Sequence, residues 1–155
     1  MDQNSVKENC YVREVTIKYI GPRRKAVKIA GPDDAAKFIC SVLRDEAREH
    51  FVALYLDGAH RVVSYSIVST GSANSTPVHP REVFQSAIVS GAGALVVGHN
   101  HPSGDLQPSD ADFDVTKRLA EAGKLLGVQL LDHVIVAGGA YFSFQEAGDS
   151  RSGLL

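Results

Sequence analysis

Two histidines two residues apart, His99 and His101, are followed by Ser109 and Asp112 within the stretch GHNHPSGDLQPSDAD. In an extended segment, residues i and i+2 point the same way, so both imidazoles face one side and Asn100 faces the other. Neutral imidazole and carboxylate are good ligands for zinc. Three such ligands leave a fourth position for water, and bound zinc lowers the pKa of that water to about 7. Asp112 falls in the first turn of a helix, and the Pro- and Gly-containing loop before it can fold the carboxylate back toward the histidines. The competing readings are plain ones. A bare His-x-His is a common accident, and Ser109-x-x-Asp112 ahead of an apolar helix is also a variant capping box. Ser109 can cap the helix and still face the site.

Hydrolysis at such a centre also needs a general base. Glu46, Glu49 and Glu82 are the candidates. Glu49 is best placed, where the first helix gives way to a strand, although a carboxylate at a helix end is also simply an exposed one. There it would meet the unfavourable end of the helix dipole. His79 and Arg81 either shape the site or start a helix at Pro80, the latter being preferred. Asp132-His133 reads either as support behind a metal ligand or as a satisfied pair in a buried strand. His50 and His60 read as surface residues, and Asp105, Asp110 and Asp114 as solvated acids.

The elements that must position these residues follow from periodicity. Residues 11–20 and 24–30 read as strands, broken at Gly21-Pro22. Pro32 opens a helix whose stripe is Ala35, Phe38, Ile39 and Val42. Phe51 to Leu56 reads as a buried strand, Asp57-Gly58 as a turn, and 61–69 as the returning strand of a hairpin. Residues 70–79 are rich in Gly, Ser and Asn and suggest a loop. A second helix from Pro80 carries Val83, Phe84, Ala87 and Ile88 on one face. The continuous apolar run 94–98 fits a central strand and delivers His99 at its end. A third helix runs from Ser109 to about Leu126, with Val115, Leu119, Ala122 and Leu126 buried and Gly127 beyond its end. Residues 128–138 and 140–146 read as two more strands around Gly138-Gly139. The expectation is an α/β (α+β) domain with a mixed central sheet flanked by about three helices. It is divided into a strand-forming extension (1–30), the main domain (31–147) and a tail (148–155).

Composition bounds the class. At 155 residues, 44% hydrophobic and 22% charged, the chain suits one soluble domain. Its two cysteines, Cys10 and Cys40, suit a reducing cytoplasm better than a disulfide scaffold. No apolar run approaches the ~18 residues that span a bilayer, and the N-terminus has no signal-peptide core. A net charge of −2 gives no global affinity for nucleic acid. Residues 11–30 are locally basic, with Arg13, Lys18, Arg23, Arg24, Lys25 and Lys28, and read as a solvated hairpin edge or as a phosphate- or partner-binding arm.

His99-Asn100-His101, seven residues, Ser109, two residues and Asp112 reproduce the His-x-His-x7-Ser-x2-Asp pattern of the JAMM (JAB/MPN) metalloproteases. With REHF (48–51), VHPREVF (78–84), GHNHPSGD (98–105), PSDAD (108–112) and LLDH (130–133), the chain resembles the RadC-type branch of that family over roughly Gly31 to Glu146. The resemblance implies a JAB/MPN (cytidine-deaminase-like) architecture and one zinc ion. It implies His99, His101 and Asp112 as ligands, Glu49 as the base and Ser109 as the donor to the oxyanion. It also implies cleavage of peptide or isopeptide bonds. Full-length RadC proteins carry a helix-hairpin-helix-like region ahead of this domain; residues 1–30 are too short for one, so the chain looks more like the short stand-alone members. Two other readings stand beside the peptidase. One is a DNA-associated RadC-like module in repair or mobile-element function, binding weakly through residues 11–30. The other is a metal-stabilised interaction domain without turnover.

Overall fold

The computed structural model describes residues 25–71 and 78–148. They form a five-stranded mixed sheet with four helices, in the order α1 (Pro32–Val42), β1 (Glu49–Leu56), β2 (Val62–Gly71), α2 (Pro80–Val89), β3 (Ala94–Asn100), α3 (Asp110–Leu126), β4 (Gln129–Ala137), β5 (Ala140–Ser143) and α4 (Phe144–Ala147). The sheet order is β2-β1-β3-β4-β5. Only β3 and β4 run parallel, as the α3 crossover between them allows; β1–β2, β1–β3 and β4–β5 are antiparallel.

The sheet is covered on both sides because its inner strands carry apolar residues on both faces over most of their length. Odd residues of β1 (Phe51, Ala53, Tyr55) pack with Val83, Phe84 and Ala87 of α2 and with Val115 and Leu119 of α3. Even residues (Val52, Leu54, Leu56) pack with Ala35, Ala36 and Ile39 of α1. Burying each large side chain in these layers is worth about 1.5–3 kcal/mol relative to exposure. β3 is buried throughout, as its continuous apolar run predicts. β2 is an edge strand and is buried only in part.

Glycine is required where β3 reaches the site. A Cβ on Gly98 would stand 2.4 Å from Ile39 Cδ1 and 2.6 Å from the Val134 carbonyl oxygen. The bare backbone lets α1 lie directly on the sheet one residue before His99. At the other end of the molecule, Gly127 closes α3 in the left-handed conformation, at φ 70°.

Several expectations are corrected. The 24–30 strand is reduced, over its described part, to one bridge between Lys28 and Arg61. The 11–20 strand, the tail from 149 and most of the 70–79 loop lie outside the described residues, although β2 reaches Gly71. The last expected strand stops at Ser143, whose hydroxyl caps a single helical turn by accepting from the Glu146 N–H. Ile88 and Leu126 leave their expected stripes and are exposed, at 57% and 46%. The chain turns at Gly127, and Val128 fills the buried place that Leu126 was assigned. Among the described residues, no helix is long and apolar enough to cross a membrane.

Candidate metal centre

The C-terminal end of β3 and the first turn of α3 bring His99, His101 and Asp112 together. One ligand atom from each lies within 4.8 Å of the others. His99 Nε2 is 2.9 Å from His101 Nε2 and 3.1 Å from Asp112 Oδ1. His99 is fully buried, Asp112 nearly so, and His101 is half-buried.

The proton positions follow from the partners. Thr116 donates its hydroxyl proton to the Asp112 carbonyl oxygen at 2.6 Å, so its oxygen is left to accept from His133 Nδ1–H, also at 2.6 Å. His133 Nε2 therefore carries a lone pair and accepts from His99 Nδ1–H at 2.9 Å. His99 is left with its lone pair on Nε2. His101 reaches the same state independently, because its Nδ1–H donates to the Asp105 carbonyl oxygen at 2.6 Å. Each imidazole thus turns a bare nitrogen to the centre, fixed in its tautomer by the hydrogen bond on its far side.

Asp112 is oriented by the helix cap. Ser109 is the N-cap of α3; its hydroxyl oxygen accepts from the Asp112 N–H, while its own N–H and hydroxyl both donate to Asp112 Oδ2 at 2.7 Å. With Oδ2 held in the capping box, Oδ1 is the oxygen that faces His99. Capping and site formation are therefore one arrangement rather than alternatives. Burial opposes ionisation of Asp112, but the facing His99, when charged, and the Ser109 donors outweigh it and hold the carboxyl well below the usual carboxylate range. A cation among the three atoms acts in the same direction.

Three lone-pair atoms crowded together, with their protons assigned elsewhere, repel one another unless a positive ion sits between them. The donor set of two imidazole nitrogens and one carboxylate oxygen fits a divalent metal such as zinc, with a coordination position to spare. The residues present therefore fit the implied metal.

The walls are dry. Phe51 stacks on His99 with ring centroids 6.0 Å apart, and Phe144 stacks on His133 at 4.8 Å. Burial first, and then any positive charge on the adjoining His99, hold His133 well below its ordinary value, keeping it neutral. Asp132 stands behind: it accepts from the Ser143 hydroxyl and from the backbone N–H groups of His133 and Gln145. Burial raises its carboxyl above the usual range despite those donors.

Glu49 is the first residue of β1, not the end of a helix; α1 stops at Val42, so the helix-dipole argument for this residue does not apply. It is half-buried. Phe51 is paired with His99, and Glu49, two places before Phe51 on β1, leaves the strand on the same face as Phe51. Glu46 and Glu82 are exposed. His79 is the N-cap of α2 with Pro80 at its start, which bears out the helix-start reading. His60, Asp105, Asp110 and Asp114 are exposed, as expected. His50 is not a surface residue: it is fully buried, its Nδ1 2.9 Å from the Thr70 hydroxyl and its Nε2 3.4 Å from Asp45. Thr116 escaped the sequence reading, although its place four residues after Asp112 on one helix face was a usable signal.

The chain matches the RadC-like JAB domain over residues 29–149. It is 47% identical over 120 residues to a UPF0758 protein of Shouchella clausii (strain KSM-K16), covering 77% of this chain and 52% of that protein. A UPF0758 protein of Methanosarcina acetivorans is 42% identical over 130 residues, covering 84% of this chain and 56% of its own length. One of Geobacillus thermodenitrificans is 47% identical over 117 residues, covering 76% and 52%. The chain thus spans about half the length of the curated relatives it matches.

Proposed function

The chain belongs to the RadC-like JAB domain family, and from that premise we propose that it is a zinc-dependent hydrolase that cleaves peptide or isopeptide bonds. The observation that carries this reading is the convergence of His99 Nε2, His101 Nε2 and Asp112 Oδ1, each free of a proton and each braced from behind. His99, His101 and Asp112 would hold the metal. When bound, zinc supplies an activated water at neutral pH and polarises the carbonyl to be attacked.

In this reading Glu49 takes a proton from the attacking water on a carboxylate oxygen as the oxygen–carbon bond forms. It then delivers that proton to the amide nitrogen as the carbon–nitrogen bond breaks, leaving an acid and an amine. Ser109 turns its hydroxyl from Asp112 Oδ2 toward the developing oxyanion, a donor worth roughly 10²–10³ in rate. Phe51 and Phe144 pack against His99 and His133, which are fully buried, and electrostatic contacts count for more there than in bulk water. The same reading places the chain in the cytoplasm, in keeping with an exposed free thiol at Cys40. A DNA-associated role through residues 11–30 is not favoured beside the JAB-domain match and the His99–His101–Asp112 cluster.

Zinc-loaded protein assayed on peptide and isopeptide amides, beside the Glu49→Gln variant, tests the proposal. It expects full metal retention in the variant with cleavage lowered by about 10²–10⁴. Equal cleavage by both proteins would remove Glu49 from the reaction, and failure of the parent to hold zinc would end the reading.

A further inference from the structure

Asn100 lies between the two histidine ligands and points to the opposite side of the strand. It is 4% exposed. Its Oδ1 accepts from the His50 N–H at 2.8 Å, and its Nδ2 donates to the Arg48 carbonyl oxygen at 2.8 Å. Those two backbone groups belong to the peptide planes on either side of the Glu49 Cα. One side chain therefore fixes both planes, and with them the direction in which Glu49 leaves the strand.

The reason for a side chain here lies in the ladder. Backbone pairing of β1 with β3 ends at Phe51 and His99. Beyond that pair, β3 stays joined only to β4 on its other edge: Asn100 pairs with Val136, and the His101 N–H donates to the Val136 carbonyl oxygen. The His50 N–H and Arg48 carbonyl would otherwise face a departing strand, and His50 is fully buried. A buried backbone group without a partner is costly. The Asn100 amide supplies one donor and one acceptor at the right spacing and acts as the missing rung.

Resting on the reading of Glu49 as the general base, we infer that Asn100 is the positioning residue for Glu49. The His99–Asn100–His101 triplet then sets both halves of the chemistry. Its outer residues bind the metal from one face, and its middle residue aims the base through the neighbouring strand. Removing the amide leaves the ligands and their supports in place but frees the base.

The test uses the full chain with the Glu49 side-chain carboxyl carbon observed by NMR, without and with zinc, in the parent, Asn100→Ala and Asn100→Asp. The aspartate keeps an acceptor for His50 and loses the donor to Arg48, and it guards against an alanine variant that does not fold. Zinc affinity is read by competition with a chromophoric chelator, and exchange of the His50 amide reads the rung itself. We expect His50 exchange to rise by about tenfold or more in Asn100→Ala. Zinc affinity should change by less than about tenfold, the lower edge of the loss seen when a ligand's own support is removed. The response of the Glu49 carboxyl to zinc should fall by at least about half in both variants, as a group moved out of reach requires. Faster His50 exchange with an unchanged Glu49 response would show a strand brace only and overturn the inference. A parent that binds zinc with no response at Glu49 would take Glu49 out of the reaction and the inference with it. A parent that does not bind zinc would instead bring down the proposed function.

Discussion

His133 Nε2 lies 2.9 Å from His99 Nδ1, and this contact decides which nitrogen His99 offers to the metal centre. The chain of bonds continues through Thr116 to the backbone of Asp112, so two of the three candidate ligands are tied by one circuit on α3 and β4. His133→Phe keeps an aromatic ring against Phe144 but removes the acceptor. Zinc affinity measured by chelator competition should drop about 10- to 100-fold. A change below about twofold would separate His133 from metal binding.

Acid should destabilise the metal-free protein by way of the same residue. Folded His133 stays neutral well below its ordinary value of 6.5, mainly because it is buried. The unfolded chain takes up that proton near 6.5, so it binds more protons than the fold once the pH drops through this value. The contribution is therefore present above 6.5 and lost on acidification below it. Asp132 pulls the other way, because its raised carboxyl is relieved by acid. Urea midpoints in chelator at neutral and mildly acidic pH, compared between parent and His133→Phe, isolate the term. The parent should lose more stability than the variant; equal losses would contradict the assignment.

Much of this was legible in the sequence. The His-x-His spacing on an apolar run, and the Ser-x-x-Asp that opens a helix, locate the three candidate ligands without coordinates, because strand pleat and helix cap are local rules. The continuous apolar character of β3 placed it at the centre of the sheet for the same reason. His50 was misread because a lone histidine in REHF carries no sign of the Asp45 and Thr70 that surround it; those partners arrive through a loop and an edge strand. The short α4 was hidden in an alternating pattern that Ser143 ends by capping a turn. Glu49 was placed on the wrong element because Leu43–Arg48 has no strong breaker to mark where the helix stops.

Gly98→Ala should cost about 1–3 kcal/mol, the range for overpacking a filled interior. The added Cβ meets the Val134 carbonyl at 2.6 Å, and backbone cannot rotate away as a side chain can. Thermal unfolding of the metal-free protein measures it, and an unchanged midpoint would show that both Ile39 and the β4 backbone at Val134 can give way.

Ser109→Ala separates the cap from the chemistry. Loss of an N-cap hydroxyl costs about 0.5–2 kcal/mol of stability. If the hydroxyl also serves the oxyanion, cleavage falls by a further 10²–10³ or so at temperatures where the variant is fully folded. A stability loss with undiminished turnover would confine Ser109 to the helix.

The proposed chemistry requires two imidazole nitrogens and one carboxylate oxygen to close around one metal ion. Crystals of zinc-loaded protein, with anomalous data on both sides of the zinc edge, test it most directly. A single strong peak per chain is expected, bonded to His99 Nε2, His101 Nε2 and Asp112 Oδ1. An absent peak, or zinc bound elsewhere with these three side chains unchanged, would contradict it.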